Sequence, residues 1–324
     1  MCDLSQIEDF FVKPEYTNSQ CCFCDIPIPI SFKDSNIEII GLPIDITTTF
    51  GKTTSLGPES IRMASAYQIE TLVYEKNIDV YEKSLIYDLG DLKMSTINNF
   101  DSNDKNDLKI FWNKFDEQIN EVMSVLIGLD KIPLILGGEH TITYSVFKEF
   151  SKKNPLLIHF DAHRDLKPSY NGLDICHTTP FYHLITDGYL HGHDIVQIGV
   201  RQADKNENTF AADNGITTFD AWHCYNSFAS VLDWIKSNSK DRNIYISFDI
   251  DVYDIPFVPC TGTPEPYGLN PFQICEIVNS IDDSSNLIGL DFVETGLKNN
   301  DYREGALATN TLLRILTHNF VKKL

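Results

Sequence analysis

No stretch of this 324-residue chain approaches the ~18–20 consecutive apolar residues that a membrane span requires. Basic residues are scarce as well. The 26 Lys+Arg against 46 Asp+Glu leave a formal charge of −20, which excludes a nucleic-acid binder, because such binding rests on many cations neutralising phosphates. The N-terminus, MCDLSQIEDFFVK, places acids ahead of a short apolar pair, so it lacks the basic-then-apolar order of a secretion signal. The 8 cysteines are too few for a disulfide framework in a chain this long, and without an export signal they are expected as reduced thiols in the cytoplasm. Cys21, Cys22 and Cys24 form the only cluster, with no matching Cys/His pair at zinc-knuckle spacing downstream. There is no internal repeat, no low-complexity tract and no Pro/Gly/Ser-rich linker, so one domain is expected rather than two.

What the chain does have is a series of short β-rich runs that end in Gly, Asp, Glu or His. They are IEIIGLP (37–43), SLIYDLGDL (84–92), IPLILGGEH (132–140), PLLIHFDAH (155–163), DIVQIGVRQ (194–202), NIYISFDID (243–251) and NLIGLDFVE (286–294). Near-continuous apolar runs, rather than strict alternation, mark strands buried on both faces. Helical patterns lie between them, near 57–72, before 129 and after 139. This βαβα alternation predicts a mostly parallel sheet with helices on both faces. The polar segment FDSNDKND (100–107) is expected to be a solvated loop.

In an open parallel sheet, ligands bind beyond the carboxyl ends of the strands. Metal-capable residues gather at those ends: His140, then Asp161, His163 and Asp165 in DAHRD, then Asp249 and Asp251 in SFDID, and Glu294 in LDFVE. Spacing of i, i+2, i+4 would put Asp161, His163 and Asp165 on one side if the backbone stayed extended, and the same holds for Asp249 and Asp251. Four aspartates in one crevice repel unless positive charge sits among them, and two divalent ions would supply it. Mixed carboxylate and imidazole ligation suits Mn²⁺ best, with Fe²⁺, Co²⁺, Ni²⁺ and Zn²⁺ as alternatives.

GGEHTIT (137–143), DAHRDL (161–166), SFDIDVYD (247–254) and TGTPEPYGL (261–269) resemble the signature blocks of the ureohydrolase family, which contains arginase and agmatinase. GPESIR (57–62), DLGDL (88–92) and CHTTPF (176–181) support the likeness, which covers roughly 39–318 and comes nearest to agmatinase. The resemblance implies a three-layer α/β/α fold with a mostly parallel sheet of about eight strands, with 37–324 as the catalytic domain and 1–36 as an N-terminal extension. It implies a binuclear centre of two Mn²⁺ or another divalent ion such as Ni²⁺. One ion would be held by His140, Asp161, Asp165 and Asp249, the other by Asp161, His163, Asp249 and Asp251. It also implies that Glu294 orients the guanidinium and that His177 moves protons to the leaving amine. A homo-oligomer, trimeric or hexameric, is expected on the same ground.

The chain departs from the family pattern in four places. Glu139 stands where GGDH has Asp, Thr295-Gly296 replaces an Asn-Pro and puts the rigidity of Glu294 in question, Ile255 precedes a displaced Pro256, and Tyr267 replaces a glycine near the expected entrance. The stretch LKPSYNGLDICHTTPF has fewer hydroxyls than the arginase loop that reads an α-carboxylate, which favours agmatine, a cationic guanidino substrate, over arginine. Guanidinobutyrate and guanidine stay open as substrates. A dicarboxylate such as formiminoglutamate would need a cationic reader, for which Lys167 and Arg201 are the candidates. Arg201 is otherwise expected in a salt bridge at the sheet end, and His191 and His193 on the surface. Two other classes compete. Zinc-dependent deacetylases share the general fold but use one metal and would not need all six ligands, and a non-catalytic regulatory paralogue should lack a ligand, whereas none is missing.

Overall fold

The computed structural model describes the chain except residues 1–3, 14, 17–18, 21, 26–30, 84, 95–103 and 320–324. Nine strands form the central sheet: β1 (Phe11–Val12), β2 (Ile37–Leu42), β3 (Ile86–Leu92), β4 (Ile132–Gly137), β5 (Leu156–Phe160), β6 (Ile195–Ile198), β7 (Thr217–Phe219), β8 (Asn243–Asp249) and β9 (Asn286–Val293). Their order is β1-β3-β2-β4-β9-β8-β5-β6-β7. Eight strands run parallel, and the short β1 pairs antiparallel with β3 through Phe11 and Leu92. This is the expected fold, with one edge strand added from the N-terminal segment.

The apolar runs are continuous because alternate side chains serve two cores. Leu134, Leu136, Leu156, Ile158 and Phe160 face a layer with the helices Gly57–Tyr67 and Arg303–Asn319. Ile135, Leu157 and Tyr245 face the opposite layer with Lys105–Gly128 and Ile142–Phe150. Ile7 and Phe11 join the second core, and Phe23 the first, so the described part of the N-terminal segment packs on the body of the protein.

The loop expected at 100–107 is shorter than its composition suggests. Asp104 caps the helix Lys105–Gly128, accepting from the backbone N–H of Asn106 (2.8 Å) and Asp107 (3.3 Å), while 100–103 lie outside the described residues. Besides β1, the sheet strand not expected from the sequence is β7, whose three residues, TTF, carry no long apolar run. None of the described helices is long and apolar enough to cross a membrane.

Chain order and sheet order diverge at the centre. After β4 the chain crosses to β5, leaving a gap that β8 and β9 later fill. The carboxyl ends of β4, β9, β8 and β5 therefore lie side by side, where a crevice opens.

Candidate active site

Of the strands that lead to the site, β8 ends on a site residue, Asp249, and β4, β5 and β9 stop short of theirs. β5 ends at Phe160 and β4 at Gly137, and Asp165 itself takes a left-handed backbone, at φ 53°. Asp161, His163 and Asp165 are thus gathered by a folded loop rather than by extended spacing. Asp249 and Asp251 are joined by a tight helical turn, Ile250–Val252, in which the Asp251 N–H donates to Asp249 Oδ1 at 2.8 Å. In both places the backbone turns so that its N–H groups hold the carboxylates; Ala162 N–H likewise donates to Asp251 Oδ1 at 3.0 Å.

The six residues expected to bind metal come together as two overlapping groups. Around His140 Nδ1 stand Asp165 Oδ2 (3.0 Å), Asp161 Oδ2 (3.2 Å) and Asp249 Oδ2 (3.2 Å). Around His163 Nδ1 stand Asp251 Oδ2 (2.9 Å) and Asp161 Oδ1 (3.4 Å). Asp161 belongs to both. Asp249 joins the second group through Asp251 and not through His163.

The orientation of His140 tests whether these residues suit a cation. Its Nε2 lies 3.0 Å from Ser247 Oγ, which gives its own proton to Asp291 Oδ1 (2.7 Å); Asp291 also accepts from Tyr245 Oη (2.5 Å) and Thr143 Oγ1 (3.2 Å). Ser247 must then accept from Nε2–H, so the lone pair of a neutral His140 sits on Nδ1. That nitrogen is buried without a hydrogen-bond partner, facing three carboxylate oxygens. A lone pair and three acids converging on one point are mutually repulsive unless a cation lies among them, and the hard oxygen and imidazole donors fit a divalent transition ion.

Protons are shared across the cluster: despite burial, Asp161, Asp165 and Asp249 raise His140 well above the usual imidazole range, and Asp251 and Asp161 do the same for His163. Burial, then Asp251 and Asp161, push Asp249 well above the usual carboxylate range. Burial and Asp161 push Asp165 up to about 7. Asp161 is also raised by burial, but His159, His140 and His163 together bring it well below.

His159 is absent from the residues the sequence singles out, although the alternation His159, Asp161, His163 contains the signal. Its Nε2 lies 2.8 Å from Asp161 Oδ2, and its Nδ1 lies 3.1 Å from Gln197 Nε2. With both ring nitrogens partnered, His159 holds Asp161 instead of offering a ligand of its own.

Glu294 is buried at the end of β9 with φ 59°, a strained backbone for a residue with a side chain. Its Oε1 accepts the His140 N–H at 2.9 Å, and its own N–H donates to Gly138 O at 2.8 Å. Burial, reinforced by Glu139 and Asp251, pushes its carboxyl well above the usual range. The replacement of Asn-Pro by Thr295-Gly296 does not loosen it. Gly296 N–H donates to Glu304 Oε2 (2.9 Å), a bond proline could not make, and Glu304 also takes the N–H groups of Cys260 and Thr261. A Cβ at 296 would overlap Cys260 O.

His177, at the start of the segment before the helix Pro180–Thr186, lines the same cavity as His140, His163, Asp165, Asp249 and Glu294. Its volume is about 180 Å³. Burial, then the neighbouring His163 and His140, hold His177 down to about 4. A second cavity of about 320 Å³ continues outward past Lys167, Tyr170, Asp204 and Glu207.

Several expectations about the entrance need correction. Lys167 is not a free cation, since Nζ pairs with Asp204 (2.6 Å) and Glu207 (2.9 Å). Arg201 makes no salt bridge among the described residues. Its guanidinium donates to backbone carbonyls of Gly199, Asp251, Val252, Tyr253, Glu265 and Pro266, tying the Asp251 turn to the segment that follows. Tyr267 does not narrow the pocket. At φ 66° it takes the left-handed backbone that glycine supplies elsewhere, and its ring packs 5.9 Å from Trp222. His191 and His193 are exposed, as expected. Cys22 and Cys24 form no disulfide among the described residues, and Cys21 lies outside them.

The model of the Arginase family matches residues 35–316. Agmatinase of Pyrococcus horikoshii is 33% identical over 273 residues, 83% of this chain and 87% of that protein. The mitochondrial guanidino acid hydrolase of Homo sapiens is 30% identical over 279 residues, 85% of this chain and 75% of that protein. Among solved structures, proclavaminate amidino hydrolase from Streptomyces clavuligerus superposes with a TM-score of 0.79 at 25% identity, covering 94% of this chain and 98% of that one.

Proposed function

Because this chain belongs to the arginase family, we propose that it hydrolyses agmatine to putrescine and urea with two Mn²⁺ ions per chain. It is a hydrolase of guanidino C–N bonds. The observation that carries the reading is the convergence of three carboxylate oxygens on the unpartnered Nδ1 of His140, beside Glu294 in one cavity. His140, Asp161, Asp165 and Asp249 would hold one ion, and Asp161, His163, Asp249 and Asp251 the other. When bound, such a pair lowers the pKa of water and supplies hydroxide near neutral pH.

The protein's own groups do the rest. Glu294 Oε2 is left to accept guanidinium N–H groups, because Oε1 is held by the His140 N–H. That fixes the planar fork of donors and so the face of the carbon open to attack. The C–N bond to the substrate's carbon chain breaks, urea keeps the other two nitrogens, and one proton must reach the departing amine. Of the titratable groups that line the cavity outside the acid cluster, Lys167 is paired with two acids and Tyr170 is a weak acid, so the imidazole of His177 is assigned that transfer.

Agmatine is favoured over arginine or guanidino acids because the cavity offers no free cation to a carboxylate. Lys167 is the one Lys or Arg lining the two connected cavities among the described residues, and it is already paired with two acids. The net charge of −20 favours approach of a dication. The same reading takes the enzyme as a cytoplasmic homo-oligomer, and the exposed Trp222, Tyr225 and Tyr267, which line one cavity, supply an aromatic face for self-association. The test is urea release from agmatine, arginine, guanidinobutyrate and guanidine, each with Mn²⁺ and with Ni²⁺. The expected result is fastest turnover of agmatine with Mn²⁺, and no release from any of the four overturns the reading.

A further inference from the structure

We infer that Thr47 is a positioning residue that sets which ring nitrogen of His177 carries the proton, with Glu139 as its anchor. The inference rests on the hydrolase reading for the use made of that proton, and on hydrogen-bond counting for everything else.

The segment after β2 is docked against the end of β4. Gly138 N–H donates to Leu42 O and Glu139 N–H to Ile44 O, both at 2.8 Å, and a Cβ on Gly138 would overlap Ile44 O. This brings residues 46–48 over the Glu139 carboxylate. Oε2 accepts the backbone N–H groups of Ile46 (2.8 Å), Thr47 (2.6 Å) and Thr48 (3.2 Å), and Oε1 accepts the hydroxyls of Thr141 (2.7 Å) and Thr47 (2.8 Å). Five donors surround it, so the group acts only as an acceptor. The one-carbon extension from the family's Asp to Glu139 is therefore not a neutral change, since it forms the hub of this loop.

Thr47 has one hydroxyl hydrogen, and Glu139 takes it. The same oxygen accepts the His177 backbone N–H at 3.0 Å and lies 3.1 Å from His177 Nδ1. With its hydrogen spent, Oγ1 can only accept from the ring, so His177 is held with the proton on Nδ1 and the lone pair on Nε2. The contact to Thr141 Oγ1, at 3.2 Å, is the longest of the four and is not needed. Because the Nδ1–H bond is the same in the neutral and the protonated ring, a proton can arrive at and leave Nε2 without rearrangement on the Thr47 side. That is what repeated transfer to a departing amine requires.

The test uses full-length protein labelled with ¹⁵N-histidine and loaded with Mg²⁺ as a diamagnetic ion, with ring tautomers read from long-range ¹⁵N–¹H spectra and the His177 signals identified by their loss in His177→Asn. The unmodified protein should show His177 with Nδ1 protonated. Thr47→Val should populate the Nε2–H form and lower kcat about tenfold or more with little change in KM, while Thr47→Ser restores both. An Nε2–H ring in the unmodified protein overturns the inference even if the valine variant fails to fold. So does a folded Thr47→Val protein with an unchanged tautomer and kcat. Absence of urea release from the unmodified protein instead overturns the hydrolase reading, and leaves the tautomer measurement standing.

Discussion

Two places in this molecule bury several carboxylates close together, and they answer the charge in opposite ways. On the sheet edge, Asp88 and Asp91 of β3 surround the fully buried Arg62 of helix Gly57–Tyr67. Arg62 Nε and Nη2 meet the two oxygens of Asp88 at 2.9 Å each, and Nη1 reaches Asp91. Burial alone would raise Asp88, yet Arg62 brings it below its usual range. At the centre of the sheet, Asp161, Asp165, Asp249 and Asp251 pair with no Lys or Arg among the described residues; their near neighbours are His140, His159 and His163, and Asp249 is driven well up. The first cluster carries its own cation and is complete as a folded unit. The second is complete only with a cation from outside, and that incompleteness is the functional signal.

The strongest break of this contrast is at the acid shared by both halves of the central cluster. Asp161→Asn should remove urea release and lower bound Mn²⁺ from two per chain, measured by elemental analysis and a urea assay. Full activity in that variant, or one ion per chain in the unmodified protein, would end the two-metal account. Arg62→Met should do the reverse. It leaves the buried Asp88 and the part-buried Asp91 without their shared cation, so about 3–5 kcal/mol of stability is expected to go in denaturant titrations, with or without metal. Ser247→Ala is milder. It deprives His140 Nε2–H of its acceptor and should weaken metal binding about 10–100-fold, read by competition with a chelating dye. Unchanged affinity there would mean that the Asp291–Ser247–His140 chain does not orient the ligand.

Much of this contrast is legible in the order of residues alone, and the exceptions share a cause. Strands buried on both faces announce themselves as apolar runs, and in a parallel sheet their carboxyl ends predict where the crevice lies; so β2 to β6, β8 and β9 and the acids beyond them can be placed. Strand ends cannot. The pattern runs on into His140, His163 and Asp251, because pattern alone does not show that the chain folds over once side chains must meet at a point. β7 and β1 are too short to give a period. Residues that act through others are the least visible. His159, Ser247, Glu139 and Thr47 touch the site only through Asp161, His140 or His177, so their types look ordinary until distances join them. The exchange of Asn-Pro for Thr295-Gly296 reads as a loss of rigidity, whereas its N–H supplies a bond to Glu304 that depends on contacts distant in the chain.

The smallest expected effect tests the sheet-edge cluster through pH. Asp88 titrates below its usual 3.8 in the folded protein because Arg62 favours its charged form. Between that lowered value and 3.8 the unfolded chain binds the proton more readily than the folded one, so stability rises with pH through this window. The contribution is fully present above 3.8 and is lost as pH falls toward the folded value. In Arg62→Met the lowering cation is gone and the contribution goes with it. The stability gap between the unmodified protein and Arg62→Met should therefore be largest at neutral pH and narrow as acid is added, beginning above 3.8 because burial raises Asp88 once Arg62 is gone. Urea titrations of both metal-free proteins, from about pH 3 to about pH 7, measure it directly. A gap that stays constant into acid would mean that Arg62 holds this edge by packing rather than by charge, and the contrast with the central cluster would then rest on geometry alone.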